Sequence, residues 1–221
     1  MKYIELEKYL FSVGDKKFAG FSKSLSNSDY ISIGVKNPVL REIIKEHVND
    51  LELVLDDFKL GTYLEVDFIY FGLALSRNKD IDSQLEFLKE NIHLAKSWAI
   101  TDCVSTYIKK LTFDKYWDFY LGMYKSKYTY DRRMSYILGL KLFKDKNILK
   151  VLDHMTYNEE YMVMMSEAWL LATMAIIYPK EIYEYLRKLD DITLKRKTIS
   201  KIVESYRIEK DMKDKYKKLR A

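Results

Sequence analysis

Proline and glycine are scarce, with two prolines and seven glycines in 221 residues. These residues punctuate turns and strands, so their scarcity favours long helices joined by short polar loops. The single cysteine, Cys103, cannot make an intramolecular disulfide, and no Cys/His cluster has zinc-ligand spacing. No stretch approaches the ~20 uncharged apolar residues of a membrane-spanning helix. The opening MKYIELEKYLF carries acids inside its apolar run, unlike a secretory signal. There is no Gly-rich phosphate loop, catalytic-triad motif or paired-cysteine motif, and His47, His93 and His154 stand isolated. A cytoplasmic monomer is expected, with no metal, no cofactor and no membrane partner.

Hydrophobic residues make up 48% and charged residues 32%, which excludes both a disordered chain and an embedded one. The net charge of +5 permits a nucleic-acid partner but does not require one, because placement matters more than the total. The length suits one domain over 1–221.

Helical periodicity fills the chain. Ile4, Leu6, Tyr9, Leu10 and Val13 form one apolar stripe, and Asp15 is placed to cap the next helix. Residues 27–35 (NSDYISIGV) are the clearest break, with a weak strand hint at 30–35. Pro38 then opens a helix carrying Leu40, Ile43, Ile44 and Val48. Further helical patterns run at about 51–59, 63–76, 81–95, 97–110, 114–125, 129–144, 146–155, 159–177, 180–188, 191–206 and 209–219, with Pro179 where a first turn tolerates it. The reading is all-α, about six helix pairs in an array.

Tyr63-x-x-x-Asp67 recurs 35 residues later as Trp98-x-x-x-Asp102. Arg133 lies 35 residues beyond Trp98, and Trp169 lies 36 beyond Arg133. Steps of about one helix-turn-helix repeat put these positions on equivalent helices and predict one shared face, although large aromatics also fill cores. Trp98 and Asp102, four apart, share a helix face. A flat electron-rich indole beside a carboxylate suits a site that handles positive charge; equally, Asp102 caps or pairs with a neighbouring helix while Trp98 packs. Arg132 and Arg133 open an apolar helix, where the dipole favours acids. They point either to an outside anion such as a DNA phosphate or to an ion pair with Asp131 or a neighbouring repeat. Lys109 and Lys110 add positive charge between these segments. Cys103 reads as a small buried residue pointing off the site face, and the C-terminal KDMKDKYKKLR as a solvated helix end.

Five segments, in order, resemble one family. SWAITDCVS is similar to its tryptophan-x-x-x-aspartate helix, and YTYDRRMSYILGLKLFKD to its arginine helix, with the register to Lys144-Asp145 placing Arg133 at the family's arginine. EEYMVMMSEAWLLATMAIIYP resembles its second tryptophan helix, while IGVKNPVLREI and KTISKIVESYRI resemble its N- and C-terminal signatures. The family is the AlkD-like branch of DNA alkylation repair proteins. Arg132, Met134 and Ser135 depart from its pattern around Arg133, and Glu167 stands where an apolar residue is more common.

The resemblance implies a HEAT-like solenoid with a concave basic groove for duplex DNA carrying alkylated bases. It implies a monofunctional N-glycosylase that releases cationic alkylpurines such as 3-methyladenine and 7-methylguanine without a deep base pocket. Asp102, Trp98 and Trp169 then carry the catalysis, and Arg133, Arg132, Lys109 and Lys110 the DNA binding. Some relatives share the fold and bind DNA without excising bases, so the alternative is a scaffold for DNA structures or a protein partner.

Overall fold

Helix starts follow the capping chemistry of the sequence. Asp15 Oδ1 accepts the backbone N–H of Lys17 at 2.7 Å and of Phe18 at 3.0 Å. Asp80, Ser97 and Asp191 cap three later helices in the same way, and Pro38 and Pro179 occupy first turns. The computed structural model describes residues 1–26, 28–155 and 159–220. Among these the chain forms twelve α-helices, several 3-10 turns and no strand. The hint at 30–35 survives as one parallel bridge, Ile31 to Tyr63. The all-α expectation holds. The helices gather into two compact units, Met1–Lys110 and Leu111–Ala221.

The first unit contains α1 (Tyr3–Val13), α2 (Lys16–Ser26), α3 (Asn37–His47), α4 (Leu64–Arg77), α5 (Ile81–Asn91) and α6 (Trp98–Val104). α4 packs against α3, α5 and α6. Its sequence is apolar around most of its circumference, as a central helix requires, and is buried almost throughout from Leu64 to Leu75. Leu6, Leu10, Ile43, Ile44, Phe68 and Ile69 anchor the core.

The helix expected at 51–59 is instead a turn and a single 3-10 turn, Leu55–Asp57. Arg77 explains the difference. Its guanidinium donates to the carbonyls of His47, Val48, Asp50 and Leu53 at 2.8–3.3 Å, holding oxygens that a continuing helix needs.

Two carboxylates lie buried in α4. Glu65 accepts from the Ser32 hydroxyl and from the backbone N–H groups of Ile33, Gly34 and Val35, so it fastens the α2–α3 connection to α4. Asp67 accepts from the Tyr30 hydroxyl and from Gly61 N–H at 3.0 Å. Burial pushes Asp67 up to about 6, against these hydrogen bonds and the charge of Lys96. The native state therefore holds a proton that the unfolded chain has released, and stability present below about pH 4 is lost as pH rises through about 6. The loss amounts to roughly 3 kcal/mol. Urea unfolding at pH 4.5 and 7 checks this: Asp67→Asn should flatten the pH dependence, and equal slopes in both proteins would refute it.

The second unit contains α7 (Phe113–Met123), α8 (Thr129–Gly139), α9 (Tyr161–Met174), α10 (Pro179–Lys188), α11 (Ile192–Glu204) and α12 (Lys210–Lys217). The helix expected at 146–155 is a 3-10 run, Lys146–Asp153. α9 is this unit's centre, packing against α8, α10 and α11. Along α7 and its C-cap residue Tyr124, the rings of Phe113, Trp117, Tyr120 and Tyr124 stack successively with centroids 5.0–5.6 Å apart, and His154 meets Trp117 edge-on. Trp117 is thus a packing residue.

Candidate functional site

Ser97 caps α6, and Trp98 is its first residue. The indole Nε1 donates to the Leu25 carbonyl of α2 at 3.0 Å. The half-buried ring walls a cavity of about 150 Å3 together with Phe18, Phe21, Leu64, Phe68, Ala99 and Cys103. Asp102 stands one turn further along, half-buried, with the Thr101 hydroxyl donating to its Oδ1 at 3.2 Å.

Trp98 and Asp102 therefore occupy adjacent turns, and Ala99 and Cys103 line the cavity with the indole. This corrects the expectation for Cys103: the thiol is half-buried and lines the same cavity as Trp98, with Asn37 Nδ2 3.6 Å away. Burial pushes this thiol up, against the pull of Arg41. The recurrence at Tyr63 and Asp67 is one of position alone. Tyr63 precedes α4 and packs edge-on against Phe11, and Asp67 is the internal anchor described above.

Lys109 and Lys110 are exposed. They line an open cleft of about 530 Å3 with Leu75, Ser76 and Tyr107. Leu75 and Ser76 close α4, whereas Leu64 and Phe68 near its start wall the Trp98 cavity. The two lysines and Trp98 thus lie toward opposite ends of α4.

In the second unit the arginines engage α9. Arg132 pairs with Glu160, which also accepts from the Thr129 hydroxyl. This is the neighbouring-repeat ion pair, one of the two readings the sequence left open. Arg133 is only 5% exposed, and its Nη1 donates to the Met162 carbonyl at 2.6 Å. Both side chains fix the first turn of the helix that carries Trp169. Trp169 itself is 40% exposed, so the open indole and the buried guanidinium face different surroundings. Glu167 is fully buried; burial first, and then this carboxylate, push the Tyr136 hydroxyl upward.

Sequence reasoning missed Glu65 and Arg77, whose charges are consumed internally. It also missed Tyr161 and Met165, which sit eight and four residues before Trp169 and were legible only as a four-residue stripe.

The model of the DNA alkylation repair enzyme family matches residues 6–210. The chain belongs to that family. It is similar to a solved structure described as a predicted DNA alkylation repair enzyme from Enterococcus faecalis, with a TM-score of 0.70 and 15% identity over 87% of this chain and 98% of that one. At such identity the likeness speaks for the fold. No curated protein matches. Family membership brings a role in DNA alkylation repair and, with it, a DNA partner. Among the described residues no helix is long and apolar enough to cross a membrane, and no group of three or more His, Cys, Asp or Glu is placed to hold a metal ion.

Proposed function

We propose that the protein is a monofunctional DNA N-glycosylase that releases cationic alkylpurines, such as 3-methyladenine and 7-methylguanine, from duplex DNA. One observation carries this reading beyond the family's general role. An indole and a carboxylate, Trp98 and Asp102, stand on adjacent turns of α6, both half-buried. A phosphate-binding scaffold has no use for a carboxylate beside its aromatic, whereas a site for a developing cation does.

Alkylation leaves the base positively charged, so its bond to C1′ of the deoxyribose is already weak. That bond breaks with its electron pair moving to the base, which departs neutral. Water oxygen bonds to C1′, and the released proton passes to Asp102 and on to solvent. Asp102 stabilises the positive charge that grows on the sugar and orients the water. Trp98 packs against the deoxyribose and adds cation–π attraction as the charge develops, and Trp169 offers its own unit's exposed indole to the DNA. Lys109 and Lys110 meet phosphates, while Arg132 and Arg133 support binding by fixing the start of α9. Because the leaving group is activated before it arrives, no deep base pocket is needed.

Incubation of the purified protein with methylated duplex DNA, followed by chromatography of released bases, tests the reading. Release of 3-methyladenine or 7-methylguanine supports it. Duplex affinity without release moves the assignment to a non-catalytic HEAT-like scaffold. Affinity should also fall steeply and log-linearly with salt and vary little with sequence, because lysines meet phosphates. A flat response between 50 and 200 mM salt argues for a protein partner instead.

A further inference from the structure

Resting on the DNA-binding reading above, we infer that the open face shared by α9 and α11 is a second contact for the DNA backbone, in which Tyr161 and the cations Arg196 and Lys197 extend the surface of Trp169. Tyr161, Met165 and Trp169 are spaced by four residues, so they form one line along α9. Tyr161 is 52% exposed, at the end of that line opposite Trp169. Lys197 of α11 reaches over the Tyr161 ring, its Nζ 5.5 Å from the centroid.

On α11, the residues Leu194, Thr198, Ile199 and Ile202 are buried. Arg196 lies on the opposite side, in the open, with Lys197 beside it at the α9 edge. Neither cation pairs with a carboxylate among the described residues. An aromatic ridge flanked by uncancelled positive charge suits a sugar-phosphate strand, with the ring against a sugar and the cations at phosphates. The geometry also explains what Arg132 and Arg133 do. Engaged with Glu160 and the Met162 carbonyl, they hold the α9 turn that presents Tyr161, and the phosphate-seeking charge lies on α11, which packs against α9. From Tyr161 to Trp169 the helix rises about 12 Å, roughly the rise of three to four nucleotides of one strand.

Fluorescence anisotropy with a labelled duplex across a salt series tests the inference. Replacing Arg196 and Lys197 together by glutamine should weaken binding about tenfold at 0.1 M salt and reduce the slope of log affinity against log salt by about 1.8, the share of two phosphate contacts. Tyr161→Ala should weaken binding several-fold and leave the slope unchanged, because the ring carries no charge. A charge-matched control, Lys210→Gln with Lys215→Gln on α12, should keep the wild-type slope. An unchanged slope in the Arg196/Lys197 variant, or an equal fall in the control, overturns the inference while leaving the glycosylase reading intact if wild type still releases alkylpurines. Failure of wild type to bind duplex DNA overturns both.

Discussion

Replacing Asp102 by asparagine is expected to slow base excision roughly 10²-fold or more while leaving duplex affinity unchanged or improved. The substitution keeps the shape of the side chain and retains an Oδ1 acceptor for the Thr101 hydroxyl that now donates to it at 3.2 Å. What disappears is the negative charge. In the bound ground state that charge repels phosphates, so its loss does not weaken binding. In the transition state it faces a sugar carrying nearly a full positive charge, and there its loss is felt. Trp98→Ala should behave differently and lower both affinity and rate, since it removes the surface against the sugar and the hydrogen bond to Leu25 that ties α2 to α6. Trp98→Phe separates those two effects by keeping a ring without its N–H. Single-turnover release of labelled 7-methylguanine, measured beside anisotropy binding, reads both quantities. Equal release by wild type and Asp102→Asn removes Asp102 from the chemistry.

The helical class was legible because it rests on local chemistry. Asp15, Pro38 and Pro179 act through groups within a turn of themselves, and each stands at the helix start its identity implied. That Trp98, Arg133 and Trp169 stand on helices was legible too, since they fall on α6, α8 and α9. What each side chain does there was less so. Arg77 suppresses the helix expected at 51–59 by taking carbonyls 24 to 30 residues away, a long-range act that no window of sequence contains. Glu65 and Asp67 look like ordinary solvated acids in a first turn until the connection at 30–35 folds over them. Arg132 and Arg133 were open to two readings because their fate depends on what the stacked helix offers; Glu160 and the Met162 carbonyl supply it. In α9, apolar residues run around the whole circumference, so periodicity could not show that the Tyr161–Met165–Trp169 row stays open.

Two Gly→Ala substitutions fourteen residues apart should have opposite effects. Gly34→Ala should destabilise the fold by about 3–5 kcal/mol, a large part of the ~5–15 kcal/mol that holds a domain together. Gly34 has φ +92°, where an L-residue is strained by roughly 1–3 kcal/mol. A Cβ there also meets the Asp15 carbonyl oxygen at 2.1 Å and the Ala19 nitrogen at 3.0 Å, both backbone atoms that cannot swing aside. Relief requires moving Asp15, whose carboxylate caps α2 and whose N–H donates to the Gly34 carbonyl at 3.1 Å. A lost cap costs about 1 kcal/mol more. Moving Gly34 instead pulls its N–H from Glu65 Oε1, now 2.9 Å away, and exposes a buried carboxylate to loss of its donors. Either route disturbs α2, whose Leu25 carbonyl receives the Trp98 indole, so excision should fall along with stability. Gly20, inside α2, is the counter-case: an added Cβ meets nothing within 4 Å, and removing glycine's excess chain entropy should stabilise by about 0.5–1 kcal/mol. Urea midpoints of the two variants should therefore move to opposite sides of wild type. A Gly34→Ala midpoint at the wild-type value would mean that this junction of α2, the 32–35 segment and Glu65 does not hold the first unit as described.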